Sequence, residues 1–266
     1  MKTHSTLFLA WQDPNSRSWF PIGRLTFDGT NYQFTYTQGV LEAQQKCGFE
    51  PLPSFPRLGE IYTSTYLFSV FVNRLMPKNR PDYPSFIHWL NLTQNESDPI
   101  AMLARSGGRR ETDTLTVFLI PEPDSEGRYR LHFFLHGLRY LPQCAIERIN
   151  CLEPGEKLWL AHEFQNHYDS KALTLNTEDH HIVGYCPRYL NSEIFEVLLR
   201  NPSLVEVRVE QVNLPPTPLQ FRLLCNITAQ DSNEFCPFSS YEYQPLSSSW
   251  VLENPRNFEL DSSCQS

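Results

Sequence analysis

Three short pieces between residues 137 and 188 bring together aromatic rings, basic side chains and a carboxylate. The pieces are Gly137-Leu-Arg-Tyr140, Glu163-Phe-Gln-Asn-His-Tyr-Asp-Ser-Lys-Ala172 and Gly184-Tyr-Cys-Pro-Arg188. Such residue types favour non-covalent binding: a ring stacks on a flat group, a cation holds an anion, and a carboxylate accepts a hydrogen bond from a hydroxyl. Each piece alone is a weak signal, and their order and spacing give the pattern its weight.

Taken together, the three pieces resemble a HIRAN domain, a small β-barrel module. The resemblance covers residues 129–229 and implies capture of single-stranded DNA at its 3′ end. In that family the second piece often reads Asn-Pro-Tyr-Asp-x-Asn-Ala, whereas this chain has His167 for the proline and Lys171 for the second asparagine. Both replacements could add positive charge near phosphate, so they would retune binding rather than abolish it.

The resemblance assigns a role to each side chain. A terminal nucleotide offers a ring face, a sugar hydroxyl and a phosphate. Tyr140 or Tyr168 would stack, Asp169 would accept from a free 3′-hydroxyl, and Arg139 would hold phosphate. A carboxylate otherwise repels a nucleic-acid backbone, so Asp169 favours recognition of an end. The predicted DNA-binding residues are Arg139, Tyr140, Tyr168, Asp169, Lys171, Tyr185 and Arg188.

Some of these residues also have structural explanations. Asn166 and Asp169 could bond their own backbone in a tight turn, and Tyr140 could belong to a barrel core. We expect Asn166 to be structural. Arg139 is the strongest functional candidate, because a cation beside two aromatic residues is hard to explain by packing.

The region from Leu7 to about Phe118 resembles the N-terminal subdomain of HipA-type toxin kinases. The residues that carry this resemblance are Ile22-Gly-Arg-Leu-Thr-Phe27, Tyr32-Gln-Phe-Thr-Tyr36, Phe71-Val-Asn-Arg-Leu-Met-Pro77 and Asp98-Pro-Ile-Ala-Met-Leu-Ala104. The sequence has no phosphate-binding lysine loop or catalytic aspartate loop of a kinase. The resemblance therefore implies at most a docking module for a protein partner.

A basic stretch, Arg105-Ser-Gly-Gly-Arg-Arg110, follows the last of these pieces. Its glycines could present backbone N–H groups to an anion, and Arg105, Arg109 and Arg110 could form a secondary basic patch. The alternative is a helix end followed by a solvated turn. A helix C-terminus disfavours anions, which supports that alternative.

Charge restricts the mode of nucleic-acid binding. The chain has 22 basic and 30 acidic residues, a net charge of −8. A protein that coats nucleic acid non-specifically needs many cations to replace counterions, so this mode is excluded, while a local basic pocket is not. Much of the excess lies after Ala229, where Asp231, Glu234, Glu242, Glu253, Glu259 and Asp261 face the single Arg256.

Seven cysteines without a Cys-x-x-Cys pair indicate reduced thiols rather than a disulfide framework or a zinc site. We expect a cytoplasmic protein with no membrane segment, no metal and no cofactor. No catalytic motif is present, and a nuclease would need Glu111, Asp113 and Glu163 to converge with Lys157 without any motif to support it. We therefore expect no enzymatic activity.

The elements that must position these residues are mainly β with a few helices, an α+β fold. Strands are predicted at 7–11, 19–27, 32–36, 114–120, 129–136, 157–162, 172–176, 181–185, 204–212 and 221–228, and helices at 66–76, 85–92, 98–107 and 189–200. We expect a small antiparallel sheet unit at 1–124, an OB- or SH3-like β-barrel at 128–229 and an acidic, flexible tail at 230–266.

The function predicted from these features is binding of single-stranded DNA, at its 3′ end, by a HIRAN-like barrel. The alternative is a protein-interaction or regulatory module without DNA binding, of a toxin-antitoxin or DNA-mimicking kind. A protein partner could then dock on residues 1–124 or on the tail at 230–266. Overall acidity favours the alternative, and the presence of Arg139, Tyr168 and Asp169 favours DNA.

Overall fold

The protein was analysed as a computed structural model that describes residues 5–93, 97–230 and 236–247. In chain order the strands are β1 (Ser5–Gln12), β2 (Trp19–Phe27), β3 (Tyr32–Tyr36), β4 (Tyr62–Ser64), β5 (Leu115–Leu119), β6 (Arg128–Phe134), β7 (Lys157–His162), β8 (Leu173–Asn176), β9 (Ile182–Tyr185), β10 (Val205–Val212) and β11 (Leu223–Gln230). The α-helices are α1 (Gly39–Cys47), α2 (Ser69–Val72), α3 (Tyr83–Trp89), α4 (Pro99–Ser106), α5 (Gln143–Asn150) and α6 (Arg188–Arg200). The predicted α+β fold class is confirmed.

The described residues divide into two compact units. The first takes residues 5–77, 98–120 and 236–247, and the second takes residues 78–93, 97 and 121–230. The polar stretch 121–127 lies between β5 and β6. The division is less continuous than predicted, because 78–97 joins the second unit and 236–247 joins the first.

The first unit is built on an antiparallel sheet in the order β4-β3-β2-β1-β5. Phe34 and Tyr36 on β3 are completely buried. The Tyr36 hydroxyl donates to the Phe55 carbonyl at 2.7 Å and accepts from the Leu52 amide at 2.8 Å, which anchors the proline-rich loop at residues 51–56 to the core. Burial of this side chain raises the pKa of Tyr36 to about 12.

Helix α4 begins and ends as its sequence predicts. Both Ile100 and Ala101 donate their backbone N–H to Asp98 Oδ1 at 2.9 Å, and Pro99 occupies the first helical position. The helix ends at Gly107, whose φ of 73° is left-handed. The helix predicted at 66–76 is wrong in length, because only α2 is helical there.

The C-terminal segment 236–247 packs on the first unit, which corrects its assignment to a flexible tail. Phe238 and Tyr243 are buried, and both rings contact Phe8, with centroids 5.9 Å and 4.9 Å away. Backbone bonds also join this segment to the end of β3, including Leu246 N to Tyr36 O at 2.8 Å. Aromatic residues in an otherwise polar sequence explain the packing. The rest of the predicted tail lies outside the described residues.

The second unit is an antiparallel sheet in the order β6-β11-β10-β7-β8-β9, curled into a half-barrel. The two outer strands approach each other at one end, where His136 and Tyr185 exchange both backbone hydrogen bonds at 2.9 Å. Helix α3 belongs here because Phe86 and Trp89 pack on Phe221, with centroids 5.6 Å and 6.1 Å away. Within the described ranges, no helix is long and apolar enough to cross a membrane.

Candidate functional site

The third motif piece begins on β9, an outer strand of the second sheet, which pairs with β8 and through it with β7. Ala161 on β7 lies opposite Thr174 on β8, and Thr174 lies opposite Tyr185 on β9. Side chains opposite one another share a face. This face lies outside the half-barrel, because the neighbouring residues Leu173 and Leu175 are buried in its core. Tyr185, the second residue of the third piece, therefore lies on the outer face of the sheet.

Gly137 packs directly against Tyr185. A Cβ at residue 137 would lie 2.7 Å from Tyr185 Cδ2, and its φ is 79°, so both space and backbone conformation require glycine. The chain then forms a 3₁₀ helix at Leu138–Tyr140, with Leu138 buried. This piece is a 3₁₀ helix and does not continue the strand predicted at 129–136. The left-handed turn at Gly137 changes the direction of the chain, and the Arg139 and Tyr140 side chains that follow the buried Leu138 are exposed.

The side chains of Arg139 and Tyr140 form an exposed pair. The Arg139 guanidinium carbon lies 4.6 Å from the centre of the Tyr140 ring, and its Nη2 donates to the Tyr140 hydroxyl. Tyr140 is 73% exposed, so it is not part of the barrel core. A ring and a cation are thus presented together, which suits a ligand that has both a flat group and a negative charge.

Asn166 shapes the turn of the second piece, as predicted. Its Oδ1 accepts from the backbone N–H groups of Tyr168 at 2.9 Å and Asp169 at 3.0 Å, and its Nδ2 donates to Glu163 Oε2 at 2.6 Å. This network leaves the Tyr168 side chain 78% exposed. Tyr168 is therefore available as a stacking surface.

Asp169 is more strongly held than the sequence indicated. Its Oδ1 accepts from the Lys171 backbone N–H at 2.9 Å, and its Oδ2 accepts from Asn191 Nδ2 at 2.8 Å. Arg188 Nε lies 3.7 Å from the same Oδ2. Arg188 and Asn191 belong to the first turn of α6, so the carboxylate lies at a helix N-terminus, where negative charge is favoured. Its side chain is only 20% exposed.

Arg188 also fixes the second piece to the third. Its Nη2 donates to the Tyr168 carbonyl at 2.8 Å, while Lys171 Nζ lies 3.4 Å from Ser192 Oγ on the same helix. Tyr185 is half-buried, and burial followed by the nearby Glu163 carboxylate raises the pKa of its hydroxyl. Arg188 and Lys171 therefore join the second piece to α6 and also carry positive charge.

The three arginines predicted to form a secondary basic patch lie in the first unit. Arg105 is in the last turn of α4, and Arg109 and Arg110 are exposed. The intervening turn is held by the buried Arg74, which donates to the Gly108 carbonyl at 2.8 Å. Arg74 also pairs with Asp113 at 2.7 Å, so this arginine is structural, and Asp113 is not gathered into a nuclease cluster.

Two further exposed aromatic residues were not singled out from the sequence. Trp159 on β7 is 50% exposed, and Lys157 Nζ lies 4.2 Å from the centre of its ring. Phe164, in the second piece, is also highly exposed and packs on His162. The alternation along β7 predicts two faces of the strand. The packing of the barrel determines which of these faces is exposed.

Comparison with known proteins identifies the domain. Residues 129–230 match the family model of the HIRAN domain, so this part of the prediction is confirmed. The chain is similar to a solved structure of a protein from Lactobacillus plantarum, at 21% identity over 39% of this chain and 97% of that chain, with a TM-score of 0.31. It is also similar to the HIRAN domain of human HLTF, at 20% identity over 40% and 78% of the two chains, with a TM-score of 0.28. No curated protein matches the chain significantly.

Proposed function

We propose that the HIRAN domain at residues 129–230 binds single-stranded DNA and recognises its 3′ end. The HIRAN family is known for DNA binding. The observation that carries the proposal is the exposed Arg139–Tyr140 pair, held beside Tyr185 by Gly137. Tyr185 in turn lies by Glu163, which accepts from Asn166 in the turn of Tyr168 and Asp169. One series of contacts thus joins all three motif pieces.

Each proposed role fits the geometry of its residue. Tyr140 and Tyr168 are highly exposed, so either ring is able to stack on a base, and stacking tolerates any base sequence. Arg139 supplies a cation for the phosphate between the last nucleotides. Lys171 adds a second positive charge on the other side of the turn.

Asp169 would accept a hydrogen bond from the terminal 3′-hydroxyl. A carboxylate has about four lone-pair positions, and the Lys171 amide and Asn191 Nδ2 use two of them. Its remaining exposed edge is able to take one further donor. An internal nucleotide would place a phosphate at this point, which the carboxylate repels, and a free end avoids the repulsion.

A protein-interaction role without DNA binding is the second candidate. The net charge of −8 favours it, since a negative protein attracts DNA only through a local site. In this case a partner would dock on the first unit, whose Tyr66 side chain is 81% exposed. The resemblance of this unit to the HipA N-terminal subdomain stays a prediction.

Fluorescence anisotropy at one fixed, moderate salt concentration tests the proposal. The full chain would be titrated into labelled single strands that end in a 3′-hydroxyl or a 3′-phosphate, and into a blunt duplex. We expect the strand with the free 3′-hydroxyl to bind most tightly. Equal binding of both single strands would remove the end-recognition part. No binding of any strand would favour the protein-interaction role.

A further inference from the structure

Trp159 is a large apolar side chain on the outer surface of β7. Its neighbour Leu158 points into the core and is buried, whereas Trp159 is half exposed. Lys157, two residues before it on the same face, places its Nζ 4.2 Å from the centre of the indole ring. Packing of the half-barrel does not account for a tryptophan at this position, and a ring with an adjacent cation is a binding surface for a base and a phosphate.

The strand register joins this surface to the proposed DNA end site. Trp159 lies opposite Asn176, and Asn176 lies opposite Ile182, in the row next to Ala161, Thr174 and Tyr185. Two residues along a strand span about 7 Å, and two strand spacings span about 10 Å. Trp159 therefore lies roughly 12 Å from Tyr185 on the same face.

The side chains of β7 and β8 between Trp159 and Tyr185 are small. Ala161 is small and exposed, and the Thr174 side chain is buried beside it. Asn176 Nδ2 donates to the Trp159 carbonyl at 3.2 Å and to Thr174 Oγ1 at 3.1 Å, which fixes the two strands against each other. A strand of DNA leaving the end site could follow this face without meeting a bulky side chain from β7 or β8.

We propose that Trp159 and Lys157 form a second stacking platform for single-stranded DNA, several nucleotides from the 3′ end. The inference rests on the proposed function of the same domain. At about 3.4 Å per stacked nucleotide, the distance of roughly 12 Å corresponds to three or four nucleotides. Trp159 would stack on a base there, and Lys157 would contact the adjoining phosphate. The domain would therefore favour strands that are long enough to reach both the end site and this platform.

Isothermal titration calorimetry with unlabelled strands of three, six and ten nucleotides tests this platform. In the unmodified full chain we expect affinity to rise with length. Trp159→Ala should leave binding of the trinucleotide unchanged and weaken the decanucleotide by roughly 5- to 150-fold, the value of one stacked base. Trp159→Phe should retain most of the length effect. Leu199→Ala removes another exposed apolar side chain, at the far end of α6. It should change the affinity for neither the trinucleotide nor the decanucleotide.

Lys157→Gln provides a second measurement that does not depend on the indole. For the decanucleotide it should reduce the slope of log affinity against log salt by about 0.7, the value of one phosphate contact on a single strand. The slope for the trinucleotide should stay the same.

The outcomes separate this inference from the proposed function. If the trinucleotide still prefers a 3′-hydroxyl but affinity does not depend on Trp159 at any length, the platform is overturned and the end site stands. If the unmodified chain binds no strand, both are overturned. An unchanged length effect in Trp159→Ala, with only protein binding affected, would assign the tryptophan to a protein contact.

Discussion

Asn191 donates a hydrogen bond of 2.8 Å from its Nδ2 to Asp169 Oδ2 and so joins the motif turn to the first turn of α6. Asn191 is almost completely buried, and Asp169 is largely so. The carboxylate proposed to read the DNA end is therefore also a structural acceptor. Removing the carboxylate should affect both the preference for a 3′-hydroxyl and the stability of the fold, and a variant of Asn191 separates these two effects.

Asp169→Ala should abolish the preference for a 3′-hydroxyl over a 3′-phosphate. It also leaves the buried Asn191 amide without its acceptor, which we expect to cost about 1–3 kcal/mol of unfolding free energy. Anisotropy with the two strand types measures the first effect, and urea denaturation measures the second.

Asn191→Ala is the matched control. It loosens the turn but keeps the Asp169 carboxylate, so affinity should fall while the preference for the 3′-hydroxyl persists. Loss of the preference in both variants would mean that Asp169 acts only by holding the turn.

Tyr168→Ala should weaken binding of a single strand by about 1–3 kcal/mol, because it removes one stacking surface. The side chain is so exposed that stability should change by less than about 0.5 kcal/mol. Tyr66→Ala, which removes an equally exposed tyrosine from the first unit, should not change affinity. Equal affinities for all three proteins would place the stacking surface elsewhere.

Arg139→Gln should lower the slope of log affinity against log salt by about 0.7, because one phosphate contact is lost. Arg200→Gln makes the same change of charge at the last residue of α6, about 18 Å along the helix from Arg188. Its slope should match that of the parent. If both variants lower the slope by the same amount, the effect comes from net charge and not from a contact at Arg139.

A double variant, Arg109→Gln with Arg110→Gln, tests the secondary basic patch. If the patch contacts DNA, the double variant should bind long strands more weakly than the parent does. It should bind short strands as the parent does, because short strands occupy only the end site. Titration of the trinucleotide and the decanucleotide distinguishes these cases. Unchanged binding of both would leave the alternative of a solvated turn after α4.

Much of the fold could be predicted because its strands and caps depend on nearby residues. Strands β2, β3 and β7 have the predicted bounds, since alternation of apolar and polar side chains determines them locally. Asp98 and Gly107 bound α4 through contacts within the helix itself. Helices α1 and α5 were not predicted.

The missed features of the site depend on residues far apart in the sequence. The 3₁₀ helix after Gly137 forms where the chain meets the Tyr185 ring, and no local pattern reveals that contact. In β7 the sequence shows alternation but not which side faces the core. Burial of Leu158 decides this and leaves the larger Trp159 outside.

Phe238→Ala should destabilise the first unit by about 3–5 kcal/mol, the usual effect of truncating a buried phenylalanine. Its ring packs on Phe8 and Phe118, so the variant leaves a cavity. Urea denaturation measures the change. Tyr241→Ala, an exposed ring in the same segment, should cost much less. A chain cut before residue 236 should be unstable in the same way, so deletions of the acidic end should begin after Ser247.

The stability of the second unit should depend on Asp179 in a pH-dependent way. Arg148 on α5 donates to both Asp179 oxygens from Nε, at 3.0 and 3.1 Å, and to Glu156 Oε1 from Nη2 at 2.6 Å. Hydrogen bonds from Arg148, then from Thr177, hold the pKa of Asp179 well below its usual value of 3.8. One arginine thus joins the helix to the turn between β8 and β9.

Because the folded pKa is lowered, the ionised form of Asp179 stabilises the fold, and this contribution is complete above about pH 5. It is lost as the pH falls below 4 toward the folded pKa. Asp179→Asn should therefore lower the melting temperature at pH 7, and the difference from the parent should stay constant down to about pH 5 and narrow between about pH 4 and pH 3. Glu178→Gln, a change of the same charge at the neighbouring exposed residue, is the control. A difference for Asp179→Asn that stays constant from pH 7 to pH 3 would show that the carboxylate is not the source of the effect.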